Sequence, residues 1–296
     1  MSLKLLLIIP LLAFCTGGEV YSGRSHQDIE QQIVTIPELP EEISFAGEAV
    51  PLKYFDVRES LQREMTVITY WHSSLLLILQ NDNRYGKEIK NILKQEGIPE
   101  DFYYLCIAES GLQPVSSPAG ACGYWQFLSS TAKEYGLIVD SEVDERYNIE
   151  KSTRAAAAYF RKAYAELGSW TLAAASYNIG LSNVKYRKTI QHQNNYYDMQ
   201  FPEETGRYLF RALAFKTIMS DPQKYGYKVE KEQLYPELHY SEVKVNTPVE
   251  NWSAFAARYN TNFKLLKMYN QWIRANYLTN KYRKTFVVRI PKEGTR

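Results

Sequence analysis

Glu109 is the side chain whose setting most suggests chemistry. The stretch that carries it opens with Pro99-Glu100-Asp101, a proline and two acids of the kind that favour a helix N-terminus, and stops at Gly111. Within it Phe102, Leu105, Cys106 and Glu109 recur at i, i+3, i+4 and i+7, so the carboxylate shares a helix face with apolar residues that should point inward. Taking water away from a carboxylate disfavours its charged form and raises its pKa. That is the requirement for a general acid that holds a proton near neutral pH and passes it to a leaving oxygen. A second stripe of the same spacing, Trp170, Ala173, Ala174 and Tyr177, brings Tyr177 and its neighbour Asn178 to a helix end just before Gly180. A buried tyrosine hydroxyl needs a partner, and the adjacent amide points to a polar site there.

The elements that must position these groups are mostly helical. Residues 55–79 repeat apolar positions at helical spacing (Leu61, Met65, Ile68, Leu75, Leu79), and 89–93 continue until Gly97 and Pro99. Further helices are predicted over 154–167, 170–177 and 203–219, punctuated by Gly168, Gly180 and Asp221-Pro222. Near Val229 the pattern changes. Residues 242–246 alternate like a strand, 249–259 and 262–269 read as short helices, and 285–290 return as a strand before Pro291, which predicts a β-α-α-β module of its own. Residues 23–54 are polar, contain Pro37, Pro40 and Pro51, and are expected as an extended lead-in to a fold that starts near residue 55.

Composition bounds the function. Apolar residues make up 45% and charged residues 23% of the 296, an ordinary globular balance. With 35 basic against 33 acidic side chains the net charge is +2, far short of a nucleic-acid-binding footprint. Met1 to Lys4 followed by the apolar run of residues 5–14 reads as a secretory signal within residues 1–22, too short to span a bilayer. Removing it would leave Cys106 and Cys122, whose pairing an oxidising compartment permits without requiring; two cysteines define no metal site.

Several motifs in order resemble one family: Ala108-Glu109-Ser110-Gly111-Leu112, Ser117-Pro118-Ala119-Gly120-Ala121, Gly123-Tyr124-Trp125-Gln126-Phe127 and Ala175-Ser176-Tyr177-Asn178-Ile179-Gly180. Together they resemble the family 1 lytic transglycosylases, and within them the membrane-bound lytic murein transglycosylase D type, over residues 52–225. The resemblance implies a mainly α, goose-lysozyme-like catalytic domain (55–228) with a long groove for peptidoglycan glycan strands, no cofactor and no metal. It implies cleavage of the bond between N-acetylmuramic acid and N-acetylglucosamine with a 1,6-anhydromuramyl product. Carried onto this chain, Glu109 matches the catalytic acid/base and Ser110 the hydroxyl beside it. Gln126, Tyr177 and Asn178 match sugar-facing residues, and Glu204 matches a second acidic position, which helix capping would equally explain. Phe127 and Trp125 could stack on sugar faces or pack, with packing favoured for at least one. Residues 229–296 resemble a degenerate LysM domain, a peptidoglycan-binding fold, with Val249-Glu250-Asn251 in place of the usual Gly-Asp-Thr. Cys15 after Leu12-Ala13-Phe14 resembles a lipoprotein signal, although Phe14 stands where a small residue is usual. The expected location is therefore exported and periplasmic, with a lipid anchor left open.

Overall fold

The computed structural model describes residues 34–294, so residues 1–22, expected to be a signal segment, and Cys15 lie outside the described residues. The chain enters through a tight hairpin, β1 (Ser44–Phe45) and β2 (Glu48–Ala49). Its two turn residues, Ala46 and Gly47, both have positive φ (53° and 82°), the backbone that matches the right-handed twist of paired strands. Among the described residues no helix forms before residue 55, as the prolines predict, yet this stretch is not merely a lead-in. Phe45, Val50 and Leu52 are buried in the main core.

The stripe predicted over 55–79 is real but broken. It forms α1 (Phe55–Thr69) and α2 (His72–Asn81), which turn against each other at Tyr70-Trp71, and α3 (Lys87–Gln95) follows. A 3₁₀ turn over Glu100–Phe102 leads into α4 (Tyr103–Ser110), which ends at Gly111 in the left-handed conformation (φ 59°). Phe102, Tyr103, Leu105, Cys106 and Ile107 are all buried, so α4 is a central helix wrapped by its neighbours, as an element apolar on most sides must be. Each of its large side chains contributes about 1.5–3 kcal/mol by leaving water.

After α5 (Ser129–Glu134) come α6 (Ile149–Leu167) and α7 (Trp170–Ile179). Asn148 and Ser169 cap these two by accepting from backbone amides. α6 starts five residues before the predicted 154, because the Asn148 cap extends it. The sequence reading has no element for α8 (Leu181–Gln191), in which Val184 is the buried residue and no apolar face shows. α9 (Glu203–Ser220) packs against α1, α4 and α7 and closes the core.

The C-terminal segment forms β3 (Tyr240–Val245), α10 (Trp252–Arg258), α11 (Phe263–Tyr269) and β4 (Phe286–Pro291), in the predicted β-α-α-β order. β3 and β4 pair antiparallel from Tyr240 with Pro291 to Val245 with Phe286. Phe286, Val288 and Ile290 alternate inward and pack with Trp252, Leu266 and Trp272. This core is not closed by its own residues. Ile138 and Val143, from the loop between α5 and α6, complete it, and that loop is stitched on by Asp144 N–H to the Trp272 carbonyl (2.9 Å) and Arg274 N–H to the Glu142 carbonyl (2.8 Å).

Candidate active site

Glu109 sits in the last turn of α4, where the orphan carbonyls of the helix end disfavour a negative charge. It opens onto a cleft of about 730 Å³ bounded by the α1–α2 junction, the end of α4 and the inner face of α9. Glu109 is half-buried and lines the cleft. Burial is the dominant influence and pushes its pKa up to about 7. Two influences oppose this: the Tyr208 hydroxyl donates to Glu109 Oε1 at 2.6 Å, and Arg211 lies close enough to favour the anion. The charge of Glu204 acts in the raising direction. A carboxyl poised between its two states at neutral pH can give a proton and later take one back.

Glu204, Arg207, Tyr208 and Arg211 recur at i, i+3, i+4 and i+7 along α9, so one face of that helix brings Arg207 and Arg211 to the cleft wall and the Tyr208 hydroxyl to Glu109. Of these the sequence reading has only Glu204. The structure sets Glu204 at the rim, largely exposed and paired with Arg211 (3.0 Å). The missed Glu64 is 1% exposed and lies on the inward stripe of α1 between Leu61 and Ile68, a position where a carboxylate is itself a signal. It accepts from Arg207 Nε at 2.7 Å and faces Arg211 at 3.7 Å.

The turn that follows α4 is held from several directions. The Ser110 hydroxyl donates to the Tyr124 carbonyl (2.7 Å), and the Tyr177 hydroxyl, carried by α7, donates to the next carbonyl, that of Trp125 (2.8 Å). Arg146, in a buried ion pair with Asp144 (2.7 Å), donates to the carbonyls of Gly120 and Phe127, both at 3.0 Å. The Tyr124 hydroxyl reaches into the C-terminal segment and donates to Gln271 Oε1 (2.9 Å). Gly123 has a positive φ of 81°, and a Cβ there would lie 1.9 Å from the Arg146 carbonyl oxygen, so no other residue fits.

Gln126 also adopts positive φ (49°), and its side-chain amide donates to the carbonyls of Gly123 and Val115 (2.9 and 3.0 Å). Phe127 corrects an expectation. At 2% exposure it packs edge-on against Tyr177, so it offers no ring face to a sugar, and Trp125 is equally buried. Tyr177 is walled in by Phe127, Tyr159 and Phe160, and burial drives its hydroxyl pKa well up, with the charge of Glu109 adding to the rise. Asn178 stands exposed at the end of α7, where its Oδ1 accepts from the Thr205 hydroxyl (2.7 Å) and ties α7 to the start of α9. Of the residues expected from the sequence, Glu109 and Ser110 line the cleft. Gln126 lies in the turn, Tyr177 and Asn178 lie at the end of α7 beside it, and Phe127 belongs to the core.

The orientation of α7 depends on a residue far upstream. The Glu48 carboxylate, at the tip of the β1–β2 hairpin, accepts from the amides of Trp170 and Thr171 and from the hydroxyls of Ser169 and Thr171. It thus neutralises a helix N-terminus that carries no acid of its own. Cys106 and Cys122 are both free and buried.

Residues 87–200 match the model of the transglycosylase SLT domain, and residues 241–294 match the soluble lytic transglycosylase C-terminal LysM-like domain. The chain is similar to a transglycosylase SLT domain over residues 87–200. It is 26% identical over 228 residues to membrane-bound lytic murein transglycosylase D of Escherichia coli strain K12, covering 75% of this chain and 49% of that protein, and the same figures hold for strain O6:H1. The chain therefore spans about half the length of the curated relatives it matches. The SLT domain match takes in α3 through α8, and with them Glu109, Ser110, Gln126, Phe127, Tyr177 and Asn178. The α1 and α9 walls of the cleft, including Glu64 and Arg211, lie outside the matched residues, as does Tyr208.

Proposed function

We propose that this protein is a lytic transglycosylase that cuts the β-1,4 bond from N-acetylmuramic acid to N-acetylglucosamine in peptidoglycan and leaves a 1,6-anhydromuramyl end. The observation that carries this reading is one carboxyl, Glu109, held near neutral pKa at the wall of a cleft where, among the described residues, no free carboxylate lines the opposite side. Among the described residues lining that cleft, the other carboxylate is Glu64, which Arg207 holds. Hydrolysis through a carboxylate pair needs a second group to activate water or attack the sugar. A single acid/base instead suits a substrate that brings its own nucleophile at high effective concentration.

Protonated Glu109 gives its proton to the glycosidic oxygen as the bond to the muramic acid C1 breaks, and N-acetylglucosamine leaves with a free C4 hydroxyl. The muramic acid C6 hydroxyl then closes on C1, and its proton passes to the Glu109 carboxylate. This restores the acid without consuming water. Tyr208 steadies the carboxylate between the two transfers. Ser110 and Tyr177 keep the 123–127 turn in place, and Gln126 within it and Asn178 at the end of α7 serve as sugar-contacting groups. Glu204 tunes Glu109 through its charge and its pairing with Arg211.

We assign residues 55–228 to the catalytic body and 229–296 to the LysM-like module, which keeps the enzyme near its insoluble substrate. The working location follows from the substrate: export to the periplasm behind the signal segment, with Cys15 as the residue an anchoring lipid would modify. Mass spectrometry of purified peptidoglycan digested by the signal-free protein tests the activity. Anhydromuramyl products that vanish in Glu109→Gln are expected, whereas products carrying added water would replace this reading with a lysozyme hydrolase.

A further inference from the structure

The junction of α1 and α2 leaves one large aromatic side chain without a home. Trp71 occupies the N-cap of α2 and is 54% exposed. The other four tryptophans each pack on another ring: Trp125 on Phe160, Trp170 on Tyr164, and Trp252 and Trp272 on each other. Among the described residues Trp71 has no ring–ring contact. It nevertheless lines the same cleft as Glu109, beside Val67 and Val115, which are themselves 47% and 40% exposed. Large apolar groups left bare together mark a contact surface, and this one is continuous with the candidate active site.

We propose that Trp71 is a stacking platform for a pyranose ring of the glycan strand, at a subsite on the α1–α2 side of Glu109. This rests on the glycan-cleaving reading of the cleft. The rings of a β-1,4-linked N-acetylhexosamine strand hold their hydroxyls near the ring plane and present C–H bonds on their faces. An indole face carries the negative side of a quadrupole and attracts such C–H groups. The charged side chains of the cleft, Arg207, Arg211 and Glu64, are already engaged with one another. The wall around Trp71 therefore suits a neutral sugar face better than the carboxylates of a stem peptide. A contact made at a sugar remote from the reacting bond is present in the ground state and the transition state alike, so its loss raises KM and leaves kcat nearly unchanged.

The test is a fluorescence titration with a tetramer of N-acetylglucosamine, which has no stem peptide, in the Glu109→Gln background, with Trp71 intact, as Trp71→Phe and as Trp71→Ala. Trp71→Ala is expected to weaken tetramer binding about tenfold and to raise KM for glycan cleavage in the otherwise intact enzyme by a similar factor. Trp71→Phe should restore most of both while removing the part of the emission change that Trp71 supplies. Tetramer affinity unchanged in Trp71→Ala overturns the stacking platform. So does tetramer affinity that holds while affinity for a peptide-bearing strand falls, which would give the wall to the stem peptide. Absence of cleavage in the parent protein would instead strike the catalytic reading, and the tetramer titration would still decide the subsite.

Discussion

Replacing Tyr208 with phenylalanine removes one oxygen and leaves the ring that packs α9 against α4. The hydroxyl donates to Glu109 Oε1 at 2.6 Å and favours the charged carboxylate, opposing the burial that lifts the pKa to about 7. A hydrogen bond to a charged group is worth about 1.5–3 kcal/mol, and one pKa unit corresponds to about 1.4 kcal/mol. Losing it destabilises the anion and moves the Glu109 pKa upward by roughly one to two units, because Arg211 remains as the sole favourable influence against burial. The reaction starts from protonated Glu109, so activity falls as pH rises through that pKa. In Tyr208→Phe the alkaline limb of kcat/KM should shift up by roughly one to two pH units. The same substitution makes proton donation harder. With about half of the pKa change expressed in the rate, the acidic plateau should drop by about three- to tenfold. The assay is the initial release of anhydromuramyl ends from soluble glycan chains between pH 5 and 9. An alkaline limb that stays in place, or moves down, refutes the assignment of the Tyr208 hydrogen bond as a stabiliser of the anion.

Two further outcomes follow from the same geometry. Burial raises the folded-state pKa of Glu109 to about 7, above its unfolded value of about 4.3, so the associated stability is full below pH ~4.3 and is lost as pH rises through 7. Glu109→Gln, which cannot ionise, should therefore be more stable than the parent by up to about 3 kcal/mol in urea unfolding at pH 8, with the gap closing towards pH 4; equal midpoints at pH 8 would count against the buried placement of this carboxyl. Gly123→Ala places a Cβ 1.9 Å from the Arg146 carbonyl oxygen at a φ of 81° and should cost about 3 kcal/mol or more in the same measurement. A loss under about 1 kcal/mol would mean that the turn yields more easily than its contacts indicate.

The sequence by itself determined which residues could act and which face of its own helix each occupies. Glu109 falls on the inward stripe of α4 and Gly111 stops that helix, as the i, i+3, i+4, i+7 spacing and the glycine require. The β-α-α-β order near the C-terminus was legible for the same reason, since alternation in β4 and helical spacing in α10 and α11 are local properties. Tertiary structure decided what each face meets. The donor to Glu109 comes from 99 residues further along the chain, and Glu48 orders α7 from 122 residues upstream of Trp170; no local pattern encodes such a pairing. Phe127 and Trp71 are both aromatic residues near turns, yet one is sealed in the core and the other left bare, because burial depends on neighbours brought in by distant segments. The C-terminal core likewise takes Ile138 and Val143 from a loop whose own spacing shows no such destination. The near-neutral pKa of Glu109 belongs to this second class, for it is set by the water that packing excludes.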